Sequence, residues 1–432
     1  MSAPRTHALC GDVSWAWARY AGCTVEGMNH RLVLSMSLLL GALVACGGQG
    51  KSGATGDDGG GASGGDASGE GGGKGSDAGG VGDSSASSPE SGAPTDAGTT
   101  DSKAPPSDGG LPPAGWLYTV AGKNHVYVSN GSSGTVWMGR GVNMDDVFLC
   151  GYNEGFWMAN PNGEQALAGM LSDLMTSWKP TFVRVSLAMD SYPPYGISWS
   201  ADTSQYATTM TSFIEAIGAH PNTYVLVTLR SEASMVNAQN AQCAHGGDDA
   251  VCIPTSGTDA TYKALVDTFK DKPYVLFGIS NEPGGNDATQ AQITSAMSHA
   301  VGTIRAEEDA QGVPHHLVSV QGLGYTSNIA FYDTAPLPYD NVVYEFHSYP
   351  PQASAYTQSN IPVIIGEYGP SGTDTSFTTA LYADLESKQI PNLAWDLDTY
   401  NNCSPDLANV TTTTAITPSA WGLVVKAYLS SH

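Results

Sequence analysis

The chain has 432 residues, 52 of them glycine, and a formal net charge of −24. Residues 116–432 alone hold 29 acidic against 11 basic side chains, with no basic cluster among them. Such a surface opposes binding to nucleic acid and to anionic polymers, whereas neutral polymers carry no such penalty.

Residues 1–46 read as targeting information. His30-Arg31 precede an apolar run from Leu32 to Leu43, which closes on Val44-Ala45-Cys46-Gly47. A basic n-region, a short h-region and a small-residue end form a secretory signal. The run is too short for the roughly 20 residues that span a bilayer. Leu43-Val44-Ala45-Cys46 resembles the bacterial lipobox, which implies lipidation of Cys46. Gly47, where an aspartate would hold a lipoprotein at the inner membrane, implies the outer membrane or cell surface. Met28 lies just before the basic pair, so translation is expected to begin there, with residues 1–27 an upstream extension. Residues 47–113 are mainly Gly, Ser, Ala, Asp and Thr; they cannot bury enough apolar surface to offset ordering entropy and read as a disordered, flexible linker.

Residues 114–432 remain as one packed domain, a length usual for a single α/β barrel. An entry hairpin is predicted first: His125-Val126-Tyr127-Val128, a turn over Asn130-Gly131-Ser132-Ser133-Gly134, then Thr135-Val136-Trp137-Met138. Eight strands follow, at 141–143, 181–185, 223–228, 274–279, 317–320, 342–346, 362–365 and 392–395. Helices are predicted at 164–178, 204–219, 259–270, 287–309, 374–388 and 418–429, with short or irregular connections after the fifth and sixth strands. Near-continuous apolar strands alternating with helices indicate a parallel sheet covered on both faces. No glycine-rich phosphate loop follows the first strand, so a closed (β/α)8 TIM barrel is expected rather than an open doubly wound sheet.

Two glutamates end β-branched runs 85 residues apart, in Ile279-Ser280-Asn281-Glu282-Pro283 and Ile364-Ile365-Gly366-Glu367-Tyr368-Gly369. Strand C-terminal ends are where such a barrel keeps its chemistry. With Arg184 after strand two, His347-Ser348-Tyr349 after strand six and Trp395 on strand eight, the order resembles glycoside hydrolase family 5, the cellulase-like family of retaining glycosidases, over nearly all of residues 116–432. The resemblance implies Glu282 as acid/base, Glu367 as nucleophile and Asn281 on the sugar 2-hydroxyl. It implies that Arg184 keeps Glu367 ionised, that His347 and Tyr349 hold the carboxylates, and that Trp395 forms the floor beneath the sugar. The structural alternatives are an ion-pair role for Arg184, a core role for Trp395 and a buried, satisfied His347. Trp178 and Trp421 fall in helices and read as packing; Trp116, Trp157 and Trp199 are loop candidates for outer subsites. One departure stands out: Arg230 occupies the position after strand three where the family commonly has histidine. Asp145 and Asp146 after strand one, and the loop between Cys243 and Cys252, are further places where specificity is expected to be set.

Export makes the compartment oxidising. With Cys46 and the upstream Cys10 and Cys23 set aside, Cys150, Cys243, Cys252 and Cys403 allow three pairings. Cys243–Cys252 is favoured as a local closure and Cys150–Cys403 as the long one, since the loops after strands one and eight meet when a barrel closes. Zinc binding is the alternative, but no two of the four have zinc-ligand spacing. The resemblance implies no cofactor and no metal, a monomer, and a neutral polysaccharide as substrate: a β-1,4-glucan cut in endo fashion, with β-mannan or a non-catalytic glycan-binding lipoprotein as alternatives. Membrane contact is expected only through the lipid anchor.

Overall fold

The computed structural model describes residues 110–144, 169–188, 199–200, 205–243, 251–350, 356, 360–370, 374–397, 407–411 and 415–432. The expectations for the signal, for Cys46, for nearly all of the linker, and for Asp145, Asp146, Cys150, Trp157 and Cys403 lie outside the described residues.

β1 (Leu117–Thr119), β2 (Val126–Ser129) and β3 (Gly134–Val136) form a three-stranded antiparallel sheet. The side chain of Asn130 accepts from the backbone N–H groups of Ser132 and Ser133, which sets the β2–β3 turn. β1 is an addition to the predicted hairpin: its three residues are too few to carry a periodic signal and become a strand by pairing with Val126–Val128.

The barrel consists of β4 (Arg140–Met144), β5 (Phe182–Ala188), β6 (Tyr224–Ser231), β7 (Val275–Gly278), β8 (Val318–Val320), β9 (Val342–Ser348), β10 (Val363–Tyr368) and β11 (Asn392–Ala394). All neighbours are parallel, and Asn392, Leu393 and Ala394 of β11 pair with Arg140, Gly141 and Val142 of β4, which closes the ring. The longer helices packed outside are α1 (Gln205–Gly218), α2 (Asp259–Phe269), α3 (Gln290–Gln311), α5 (Phe377–Lys388) and α6 (Ala420–Ser430); a short α4 (Ala330–Thr334) follows β8. α3 begins at a reciprocal capping box between Thr289 and Gln292 and stops at left-handed Gly312. A hairpin of β12 (Ala408–Thr411) and β13 (Ile416–Pro418) between β11 and α6 was not predicted.

Side-chain alternation along the strands separates two cores. Val183, Val185, Val225, Val227 and Phe277 face outward into the layer shared with the helices. Their neighbours Phe182, Leu226, Leu276, Leu317, Val343, Ile364 and Leu393 form a second cluster with Leu117, Val126 and Trp137 of the small sheet. This second cluster plugs the N-terminal end of the barrel. Burying each such side chain contributes on the order of 1.5–3 kcal/mol. Two residues further along four of these strands, on the same inward face, the side chains become polar: Arg184, Thr228, Ser319 and Glu345, all buried. The apolar floor holds a polar layer directly beneath the C-terminal mouth.

Candidate active site

Arg184, from β5, is the centre of the polar layer and is fully buried. Its guanidinium donates to Glu367 Oε1 at 2.7 Å, Asn143 Oδ1 at 2.9 Å, Asn281 Oδ1 at 2.6 Å and Thr228 Oγ1 at 3.2 Å. Four donations to four different strands or strand ends use the planar fork in a way lysine cannot copy. Asn143 Nδ2 in turn donates to the carbonyls of Gly366 and Ala394, tying β4 to β10 and β11.

Glu345 is the side chain that sequence reasoning missed. It points inward from β9 with no exposure, 3.4 Å from Arg184 Nε, accepting from Ser319 Oγ at 2.7 Å and from His347 Nε2 at 3.1 Å. Burial pushes its carboxyl up, but Arg184, His347 and Ser319 overcome that and hold it at about 2. The available signal was the period-two sequence Val343, Glu345, His347, which puts an acid on the face that also carries His347. Gly366 makes the room: a Cβ there would lie 1.9 Å from Glu345 Oε1. At the same point β10 shifts register between Ile365 and Glu367, and a bulge of this kind re-aims the side chain that follows it.

His347 Nδ1 donates to Glu282 Oε1 at 2.8 Å and stands 3.5 Å from Glu367 Oε2. Burial alone would lower its pKa, but Glu367, Glu282 and Glu345 raise it to about 10, so the ring is an imidazolium with both nitrogens committed to carboxylates. Tyr349 donates its hydroxyl to Glu367 Oε2 at 3.0 Å, and burial together with the two glutamates keeps that phenol protonated. Burial also pushes the Glu367 carboxyl upward; His347 and Arg184 oppose this and Glu282 reinforces it.

Glu282 sits just past β7 in the left-handed region, at φ 45°. Such strain in a residue other than glycine persists only where its surroundings hold it. Here its N–H donates to the buried side chain of Gln321, its carbonyl accepts from Gly285 N, and Gly284 N donates to Val251 O beside Cys252. Cys243 and Cys252 are disulfide-bonded, so the loop after β6 is closed on itself where it braces the Glu282 loop.

One oxygen of Glu282, one of Glu367 and a ring nitrogen of His347 all lie within 4.8 Å of one another. A cation could span that distance, but both ring nitrogens of His347 are already hydrogen-bonded to carboxylates and the Arg184 guanidinium already donates to Glu367 Oε1. The arrangement fits an organic reaction centre between two carboxyls better than a metal.

Trp395 follows β11, is 7% exposed, and has its carbonyl anchored by Trp421 Nε1 at 2.7 Å. Arg230, at the end of β6, places its guanidinium carbon 5.8 Å from the Trp395 ring centroid. Glu282, Glu367, Arg184, Asn281, His347, Tyr349 and Trp395 therefore all stand at the C-terminal mouth. Trp116 and Trp199 do not join them. Trp116 packs on His316 with ring centroids 4.6 Å apart, and Trp199 packs against Tyr206 and Phe269. Both are buried, because an indole in a short connection covers more apolar surface by folding inward than by facing water.

The cellulase model of glycosyl hydrolase family 5 matches residues 141–401. Among solved structures, the catalytic domain of an endoglucanase from Thermobifida fusca is similar at 17% identity and a TM-score of 0.55, over 73% of this chain and 97% of that one. A beta-glucanase from Saccharophagus degradans is similar at 15% identity and a TM-score of 0.55, over 73% of this chain and 93% of that one. Likeness at these identities concerns the fold. No curated protein matches this chain.

Proposed function

The chain belongs to the cellulase family, glycosyl hydrolase family 5, and is a glycoside hydrolase; on that premise we propose that it is a retaining, endo-acting β-glycosidase of a neutral polysaccharide, first of all a β-1,4-glucan. The observation that carries the retaining reading is the approach of Glu282 and Glu367, with one oxygen of each within 4.8 Å of the other. Retaining pairs stand roughly 5–5.5 Å apart, whereas inverting pairs need roughly 6.5–9.5 Å to admit a water.

In the first step an oxygen of Glu367 attacks the anomeric carbon while Glu282 gives its proton to the glycosidic oxygen. The C–O bond breaks and a glycosyl ester forms on Glu367. In the second, Glu282 takes a proton from water, the hydroxyl adds to the anomeric carbon, and Glu367 leaves as carboxylate. Arg184 and Tyr349 present donors to Glu367, which suits it to the nucleophile's role, while His347 Nδ1 orients Glu282 for proton transfer. Asn281, bonded to Arg184, is placed for the sugar 2-hydroxyl, and Trp395 for the apolar face of the ring.

The glucan reading is supported by the family and by the acidic, basic-poor surface of residues 116–432. β-1,4-mannan is the second reading, because the same catalytic set serves both substrates; Arg230, which departs from the family pattern beside Trp395, is the residue on which the choice of sugar turns. Lipidation of Cys46 and display at the cell surface are proposed from the Leu43–Cys46 ending; a diacylglyceryl mass on a mature N-terminal peptide beginning at Cys46 checks it. Reducing-sugar release across cellulosic, mixed-linkage, xylan and mannan substrates tests the activity, with Glu367→Ala as control. A substrate cut by the wild type and spared by the variant is expected, and the first product is expected to be the β-anomer by NMR. A first-formed α-anomer refutes retention.

A further inference from the structure

The small sheet that plugs the N-terminal end of the barrel has a second face. Leu117 of β1 and Val126 of β2 point into the plug, so by strand alternation Tyr118 and Tyr127 point away from it. These two tyrosines stand directly opposite each other in the β1–β2 register, and their rings stack with centroids 5.5 Å apart and planes 30° apart. Tyr118 lies across the sheet over Gly134 of β3, where any Cβ would collide with its ring. Both tyrosines are half-buried, so the pair rests on the sheet with part of its surface open to water.

His125 continues the row, its ring centroid 6.4 Å from that of Tyr127. It also lines a cavity of about 180 Å³ between the β1–β2 turn and the end of α5, where Asn124, Ser387 and Lys388 meet solvent and Ile361 and Ile390 lie buried beneath. Charge separates this face from the rest of the domain. Residues 110–144 contain no aspartate or glutamate, whereas residues 116–432 as a whole hold 29 acids against 11 bases. The only lysine and arginine of that segment are Lys123 and Arg140, and Arg140 is paired with Glu386 at 2.6 Å. An anionic membrane surface calls for clusters of about 4–8 basic residues. A cross-strand tyrosine pair would steady any hairpin, but it requires neither the missing acids nor the cavity.

We propose that this face is a second glycan-binding site, which takes an uncharged β-linked polysaccharide on the Tyr118–Tyr127 pair with sugar hydroxyls at His125 and Asn124. A pyranose presents an apolar C–H face that stacks on such rings, while an imidazole and an amide exchange hydrogen bonds with its hydroxyl edge. Glu282 and Glu367 stand at the C-terminal mouth, at the other end of the barrel, so polymer held on the sheet does not compete with polymer in the cleft. Holding one segment makes capture of the next effectively intramolecular and raises the local concentration of chain at the mouth. That the glycan is the substrate polymer rests on the glycosidase reading.

The test uses the full chain carrying Glu367→Ala, which removes the nucleophile, and insoluble cellulose or insoluble mannan, whichever the wild type cleaves. With Tyr118→Ala and Tyr127→Ala added, the association constant for the solid is expected to fall about tenfold, the scale of one or two stacking contacts. Tyr118→Phe with Tyr127→Phe keeps the flat rings and is expected to stay within about twofold of the parent. Tyr118→Leu with Tyr127→Leu keeps apolar bulk on the sheet without a flat face, and is expected to bind as poorly as the Ala pair while melting closer to the parent. Unchanged retention in the Leu pair, or a Phe pair as impaired as Leu, overturns the site; cleavage of cellohexaose or mannohexaose by the wild type then leaves the glycosidase reading standing. Attachment to phosphatidylglycerol vesicles that the Leu pair loses, with retention on the polymer intact, makes the face a membrane contact and also overturns it. A folded wild type that cuts neither hexasaccharide and is retained by neither solid overturns both readings.

Discussion

Replacing Glu345 by glutamine keeps its shape and removes its charge, which makes it a sharp probe of the polar layer. The amide oxygen can still face Arg184 Nε and His347 Nε2, and the NH2 can donate to Ser319 Oγ. What is lost is the anion between two buried cations. A carboxyl held at about 2 against an ordinary 4.5 stabilises the fold by about 3 kcal/mol at neutral pH. Breaking one side of a buried ion pair independently suggests about 3–5 kcal/mol. The sign follows from the depressed value: the contribution is complete above about 4.5 and disappears as pH falls toward 2. Urea denaturation of wild type and Glu345→Gln is expected to show a gap of about 3 kcal/mol at pH 7 that narrows steadily below pH 4.5. The corresponding drop in melting temperature at pH 7 is about 4–5 °C. A gap that keeps its size from pH 7 down to pH 3 would mean packing, not charge, is what the glutamate supplies, and the electrostatic account of the site would fail.

Gly366→Ala sets a methyl 1.9 Å from Glu345 Oε1, so either β10 or Glu345 must shift; a loss of activity of at least about 100-fold is expected, since a displacement of about 1 Å at the reacting groups costs that much, and near-normal kinetics would show that Glu367 does not depend on the bulge. Because burial raises Glu367 and the nucleophile must be ionised, the acid limb of kcat/KM is expected above 4.5, and His347→Gln, which removes a cation that pulls Glu367 down, is expected to move it higher; a limb that moves lower contradicts the charge assignment. His347 is raised from 6.5 to about 10, so it contributes stability that is complete below 6.5 and is lost between 6.5 and 10, a slope that the wild type is expected to show and His347→Gln to lack. Glu282→Ala is expected to lose about 100- to 10,000-fold on oligosaccharides and far less on glycosyl fluorides, whose leaving group needs no proton; equal losses on both would remove Glu282 from the acid role. The double variant Cys243→Ser, Cys252→Ser opens a loop of sequence separation 9, costing about 2–3 kcal/mol by loop entropy, and because Val251 O braces Gly284 its kcat is expected to fall with its melting temperature.

The parts of this protein that are legible in its sequence are those encoded locally. Apolar runs at 181–185, 223–228 and 342–346 became β5, β6 and β9, and the helices predicted at 204–219, 259–270, 287–309, 374–388 and 418–429 formed within a few residues of their expected bounds, because strand and helix periodicities are written in near neighbours. Glu282 and Glu367 were legible because each follows such a run directly. β1 and the β12–β13 hairpin were not, since strands of three or four residues exist only through their partners. Trp116 and Trp199 were assigned outward from loop position alone, a choice that depends on which apolar surface the folded chain offers. Glu345 read as an ordinary member of a strand. Only closure of the ring brought it against Arg184, 161 positions before it in the chain, and only that burial fixed its charge. Asn143, Thr228, Ser319 and Gln321 share this history. The sequence determined by itself which segments would be strands and that two acids would end two of them. The tertiary structure decided how far apart those acids stand and which cations hold them, because distances and dielectric surroundings arise only when segments remote in the chain come to share one interior.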